Sequence, residues 1–270
     1  MHRIVTKFFA DRGTHLAAMI AYFALLSFVP LTFLALALLG LTGRADESSF
    51  LVREINNAFP ETPVDDIVTL VHEVQDNAAA LGIIGGTFLL WTALSLFSVL
   101  ESAFNIVYGR PNRSFLRGKA VASVLMFGSL VTLFVALLVG SFGHAVLREY
   151  APGIASSGTL SIVVSVAIST AGVFTFLVTV YYKLTNAELR LRDVLPGAIL
   201  ATVLLQASFQ VLPFFVRFAH LNPALKTFGS PAILLVWLYV MANVTVFGAE
   251  LNWWRSRGRS EAENELSGLA

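Results

Sequence analysis

The sequence predicts an all-α, polytopic membrane protein with six transmembrane helices and an external amphipathic helical hairpin between the first two. Three observations carry that prediction. Of 270 residues, 56% are hydrophobic and 13% charged, where soluble domains hold about 25% charged, and the mean hydropathy is +0.75. Apolar runs long enough to cross a hydrocarbon core of about 30 Å recur six times, at 16–41, 82–106, 120–147, 160–182, 194–219 and 231–252. The basic residues, finally, alternate between the two sets of connections. Residues 1–15, 107–119, 183–193 and the tail after 252 hold thirteen of the eighteen Lys and Arg, which predicts both termini on the cytoplasmic side.

The first fifteen residues, MHRIVTKFFADRGTH, place Arg3, Lys7 and Asp11 on one helical face with Ile4 and Phe8 beside them. This is the pattern of a short helix in the membrane interface, leading straight into the first span. That span follows a basic start but is longer than a signal-peptide apolar core of about 7–15 residues, so it is expected to be retained. Pro30 interrupts it and Pro213 interrupts the fifth span. Each removes a backbone donor and frees the carbonyl one turn earlier, so both positions are expected to kink, as static bends or as hinges. Residues 42–81 carry eight acids among regularly spaced apolar residues, broken at Pro60 and Pro63, and read as the external hairpin. Residues 1–254 form a single membrane domain, and 255–270 read as a disordered cytoplasmic tail.

Small and polar residues form stripes on several spans. Ser161, Ser165, Ser169, Gly172, Thr175 and Thr179 mark the fourth; Ser129, Thr132, Ala136, Gly140 and Gly143 mark the third. Such stripes let helix backbones approach closely in lipid. The second span has Trp91, Ser95, Ser98, Ser102 and Asn105 along one face, bordered by Glu101. An ionised acid in a span costs on the order of 3 kcal/mol on insertion scales, so Glu101 faces protein or water. Tyr239, Asn243 and Glu250 share a face of the sixth span, and Glu250 lies at a similar depth to Glu101. Two close carboxylates resist ionising together, so the pair could share a proton or hold a cation. Alternatively each acid pairs with a basic neighbour, Arg117, Lys119, Arg192 or one from the N-terminal helix, and anchors the bundle. The fifth span concentrates Thr202, Gln206, Gln210 and Arg217 on a quarter of its circumference. Arg217, near the external end, either snorkels to the interface or, with His220, meets a phosphate headgroup.

Composition and motifs exclude several functions. A net charge of +1 and the absence of a basic track argue against nucleic acid as a partner. Zero cysteines removes thiolate catalysis and zinc–cysteine sites. The five histidines, His2, His15, His72, His144 and His220, are scattered, and no phosphate-binding P-loop or G-x-S-x-G elbow is present. No catalytic residue, metal ligand or cofactor is assigned.

The segments AAMIAYFALLSFVPL (17–31), LESAFNIVYGRPNRSFLRGK (100–119), DVLPGAILATVLLQASFQ (193–210) and TFGSPAILLVWLYVMANVTVFGAELN (227–252) resemble the YihY/BrkB family of bacterial inner-membrane proteins, over about residues 10–254. The most specific piece combines PGA at the head of the fifth span with W-x-Y and G-A-E-x-N in the sixth. Thr185-Asn186 and Phe228-Gly229-Ser230-Pro231 depart from the family's Pro-Asn and Tyr-Gly-Ser-Leu. The resemblance implies a six-helix, multi-pass protein of the bacterial inner membrane. It also implies a link to virulence and serum resistance, an old ribonuclease label generally regarded as mistaken, and, for some members, a genetic tie to lipid export. The expected function is movement of a lipid or other amphiphile between leaflets, along a path lined by Glu101, Asn105, Gln206, Gln210, Arg217, Tyr239, Asn243 and Glu250. Two alternatives stand beside it: a non-transporting adaptor docking an envelope protein through residues 42–81, and a proton- or sodium-coupled small-solute transporter. Membrane lipids are the expected partners, and a second copy of the chain is compatible with the sequence.

Overall fold

A computed structural model describes residues 2–41, 78–129, 131, 158–221 and 230–267, and these are all-helical. In chain order the helices are α1 (His2–Ala10), α2 (Gly13–Leu41), α3 (Ala78–Val107), α4 (115–129), α5 (Gly158–Leu184), α6 (Leu191–Leu221) and α7 (Ser230–Ser267). Three contain segments long and apolar enough to cross a membrane: Thr87–Val107 in α3, Leu191–Leu212 in α6 and Pro231–Arg257 in α7; Gly13–Phe28 of α2 is a shorter apolar stretch. The hairpin expected at 42–81 lies outside the described residues except where α3 begins. Most of the third span does too.

The helices pack as a bundle in which α7 touches α6, α2, α3 and α1, while α2 packs on α3 and α5 packs on α6. The core is built from small and aromatic side chains facing one another: Ala17 and Ala21 on α2, Ala103 and Phe104 on α3, Leu177 and Tyr181 on α5, Ala198 and Ala201 on α6, Val246 and Ala249 on α7. Alanines admit close helix approach, and the aromatics fill what is left; the Phe104 and Tyr181 rings meet edge to face with centroids 5.2 Å apart. Outside this core the surface is apolar, as with Val203 at 59% exposure and Phe214 at 61%. Such a surface suits lipid rather than water.

The ends of the helices follow from identifiable residues. Gly109, at φ 60°, takes the left-handed position that ends α3: its N–H bonds the Ile106 carbonyl at 3.0 Å and the Arg110 N–H bonds the Asn105 carbonyl at 2.8 Å, the paired bonds of a Schellman termination. At the start of α6 the Asp193 carboxylate accepts the Arg190 N–H at 2.9 Å, closing a capping-box-like ring. Both α2 and α6 continue through their prolines, Pro30 and Pro213.

Two expectations are corrected. The N-terminal helix does not run straight into the first span. It stops at Ala10, and Arg12, with φ 57°, turns the chain into α2, where Gly13 leaves room for the Phe8 ring against its backbone. α1 also turns its Lys7 and Asp11 side inward with Ile4 and Phe8, leaving Val5 and Phe9 exposed. The tail read as disordered is helical to Ser267.

Candidate functional site

Two buried acids organise the basic end of the bundle. Glu101 of α3 is 4% exposed and meets Arg113, from the 110–114 connection, at 3.1 Å. The same guanidinium donates to the carbonyls of Lys183 (3.1 Å), Leu184 and Thr185 (3.0 Å), which are the terminal acceptors of α5. A planar fork of donors can satisfy a carboxylate and a helix C-terminus together, and its charge opposes the helix dipole there. Asn105 extends the junction. It donates to Asn112 at 3.0 Å and accepts the Asn186 N–H at 2.7 Å, while Asn112 donates to Ser102 at 3.2 Å. Asn105 thus sews α3 to the connection between α5 and α6.

Glu250 of α7 is fully buried. Its cation comes from α1: Lys7 Nζ stands 3.0 Å from Glu250 Oε2, donates to the Val107 carbonyl at 2.8 Å, pairs with Asp11 and sits 4.1 Å above the Trp253 ring. Lys7 is therefore shared between the carboxylates of Glu250 and Asp11. Each acid thus lies beside a cation, Arg113 for Glu101 and Lys7 for Glu250. Beside this hub, burial and then the Asp193 and Glu250 carboxylates push the Tyr108 phenol above its ordinary range, which keeps it protonated.

The motif residues of α6 and α7 meet at a close crossing. A Cβ on Gly197 would overlap the Gly248 carbonyl oxygen and the Asn252 side chain, and one on Gly248 would overlap the Tyr181 hydroxyl. Asn252 accepts the Gly197 N–H at 2.6 Å, and Tyr181 donates to the Thr245 carbonyl at 2.7 Å. PGA and G-A-E-x-N are thus two sides of one contact.

A groove of about 1030 Å³ opens between α4 and α5, lined by residues including Val124, Gly128, Gly172, Phe176 and Thr179, with Arg113 and Lys183 at one end. The gap is widest at Gly128 and at Gly172 of the fourth-span stripe, where a Cβ would meet nothing within 4 Å; the side chains of the third-span stripe beyond Ser129 lie outside the described ones. A second, polar cavity of about 340 Å³ lies at the basic end among Tyr108, Arg110, Arg190, Asp193 and Arg257.

The described residues among those proposed for a path from sequence stand in different surroundings. Glu101, Asn105 and Glu250 belong to the two buried hubs. Gln206 is half-buried and donates to Ser169 of α5 at 2.9 Å; Gln210 is exposed on the outside of α6. Asn243 donates to the Tyr239 carbonyl of its own helix at 2.7 Å, and Tyr239 is half-buried. The side chains of Pro213, Arg217 and His220 lie outside the described ones. Sequence reasoning missed Arg113, Lys7 as the partner of Glu250 in particular, Tyr181 and Lys183. The available signals were the Lys7/Asp11 spacing and the position of Lys183 in the last turn of its helix.

A helical bundle with an apolar outer surface, membrane-length apolar helices and its described charges gathered at one end is a membrane protein. The chain belongs to the family described as Virulence factor BrkB, which it matches over residues 4–268. It is 24% identical over 261 residues to YfkH of Bacillus subtilis, a protein with a ribonuclease-like name, with 93% of each chain covered. It is 29% identical over 275 residues to a UPF0761 membrane protein of Aromatoleum aromaticum and 26% identical over 266 residues to another from Nitrosospira multiformis. The matches cover 93% and 95% of this chain, respectively, but 62% of each of those relatives. No solved structure matches.

Proposed function

We propose that the protein is a six-span protein of the bacterial inner membrane, with both termini cytoplasmic, that moves a lipid or other amphiphile between leaflets and catalyses no reaction. One observation carries this reading: the groove between α4 and α5 is apolar along its walls and cationic only at one end. That matches the shape and polarity of an amphiphile lying parallel to the helices. The path then runs along α4 and α5 rather than along the polar faces of α3, α6 and α7. In this reading Glu101 and Glu250 anchor the bundle, because each already holds a cation.

The test is leaflet-to-leaflet movement of fluorescent phospholipid in proteoliposomes of the full chain. Movement should exceed that of protein-free vesicles and fall when Gly172→Leu partly fills the groove. A rate equal to that of empty vesicles, with circular dichroism showing an intact helical fold, refutes the proposal.

A further inference from the structure

Resting on the reading just given, we infer that the α4–α5 groove takes an acyl chain of an anionic phospholipid from the leaflet at the basic end, with Lys183 contacting the headgroup phosphate. The depth fits one leaflet. From Ala171 to Lys183 the groove follows α5 for about 18 Å at 1.5 Å per residue, against about 15 Å for half of a hydrocarbon core of about 30 Å. The walls fit a hydrocarbon chain rather than a polar ligand, because the Thr179 hydroxyl is turned back onto the Thr175 carbonyl of its own helix at 2.8 Å. The open space at Gly128 and Gly172 lies away from the charged end, where a chain would extend.

The two cations at the mouth are not equivalent. Arg113 is committed to Glu101, which balances its charge, and to the last carbonyls of α5. Lys183 is exposed, lies 5.1 Å from the Tyr182 ring centroid, and has no carboxylate partner among the described residues. An ammonium on a flexible stem at the membrane surface suits a phosphate as a point charge. One unbalanced lysine at this depth favours an anionic over a zwitterionic headgroup by about fivefold.

The chain has no cysteine, so a single Val124→Cys on the groove rim can carry a fluorophore that brominated acyl chains quench; Val203→Cys on the outside of α6 serves as the reference position. In vesicles, brominated phosphatidylglycerol should quench the rim position at about one-fifth the mole fraction that brominated phosphatidylcholine requires, with no such preference at position 203. Adding Lys183→Ala should abolish the preference while chain quenching persists. Adding Gly172→Leu, which has room for its side chain, should weaken quenching by both lipids. Equal quenching by the two lipids, or a preference that survives Lys183→Ala, overturns the headgroup assignment. A rim response indistinguishable from that at position 203 overturns the site. Translocation without the lipid preference would sink this inference and leave the functional reading standing; preference without translocation would do the reverse.

Discussion

Replacing Lys7 should be far more damaging than replacing the acid it serves. Glu250 is fully buried, and the Lys7 side chain is 18% exposed. At 3.0 Å and an effective dielectric near 20, their attraction is about 5–6 kcal/mol, most of it offset by the cost of desolvating the carboxylate. The pair as a whole therefore contributes little. Removing only the cation leaves that desolvation cost uncompensated, so Lys7→Met should destabilise by about 3–5 kcal/mol. Glu250→Gln leaves Lys7 with Asp11, the Val107 carbonyl and the Trp253 ring, and should cost about 1–2 kcal/mol. The double variant should resemble Glu250→Gln, giving a coupling of about 3–5 kcal/mol. Thermal unfolding of the detergent-purified full chain reads this out: at about 2–4 °C per kcal/mol, Lys7→Met should lower Tm by roughly 6–20 °C, and adding Glu250→Gln should restore most of the loss. Equal effects of the single variants with an additive double would refute the assignment of Lys7 as counter-ion.

Gly197→Ala should destabilise by at least about 1–3 kcal/mol, because its Cβ has nowhere to go at the α6–α7 crossing, whereas Gly172→Ala, facing the groove, should leave Tm almost unchanged; size-exclusion profiles and melts of the two side by side check this. Arg113→Lys keeps a charge for Glu101 but cannot also reach the carbonyls that end α5, so it should lose about 1.5–3 kcal/mol. Hydrogen exchange at the end of α5 should rise in that variant, and unchanged protection there would contradict the capping role.

Helix positions and the membrane character of the chain were legible because apolar length and low charge leave few alternatives: α3, α5, α6 and α7 overlie the predicted second, fourth, fifth and sixth spans. The interfacial pattern of residues 1–15 was legible as a helix but not in its orientation. Ile4 and Phe8 share their burial with Lys7 and Asp11, and it is Glu250, the Val107 carbonyl and the Trp253 ring that give the ammonium a reason to turn inward. An amphipathic pattern says which residues cluster on a helix face; it does not say which face finds a partner.

The polar stripes carry the more general lesson, because a hydroxyl or amide in an apolar helix has a partner one turn back. Ser95 and Ser98 donate to the Trp91 and Leu94 carbonyls at 2.7 Å each, Thr179 to Thr175, Thr245 to Met241 at 2.9 Å and Asn243 to Tyr239. These contacts give the side chain a partner within its own helix, and some of the hydroxyls also accept from another segment, as Ser98 does from Lys119 at 3.0 Å and Ser169 from Gln206 at 2.9 Å. Ionised carboxylates only accept, so they cannot bond the carbonyl one turn back. Buried ones must find cations on other segments, which is why Glu101 and Glu250 mark the junctions of α3, α5, α7 and α1. The glycines lead to two outcomes: at Gly197 and Gly248 the backbones close on one another, and at Gly128 and Gly172 they do not. The first pair lies beside Asn252 and Tyr181, whose hydrogen bonds span the gap between helices. At the second, the Thr179 hydroxyl turns back on its own helix, and the gap between α4 and α5 stays open to a chain that asks for no hydrogen bond.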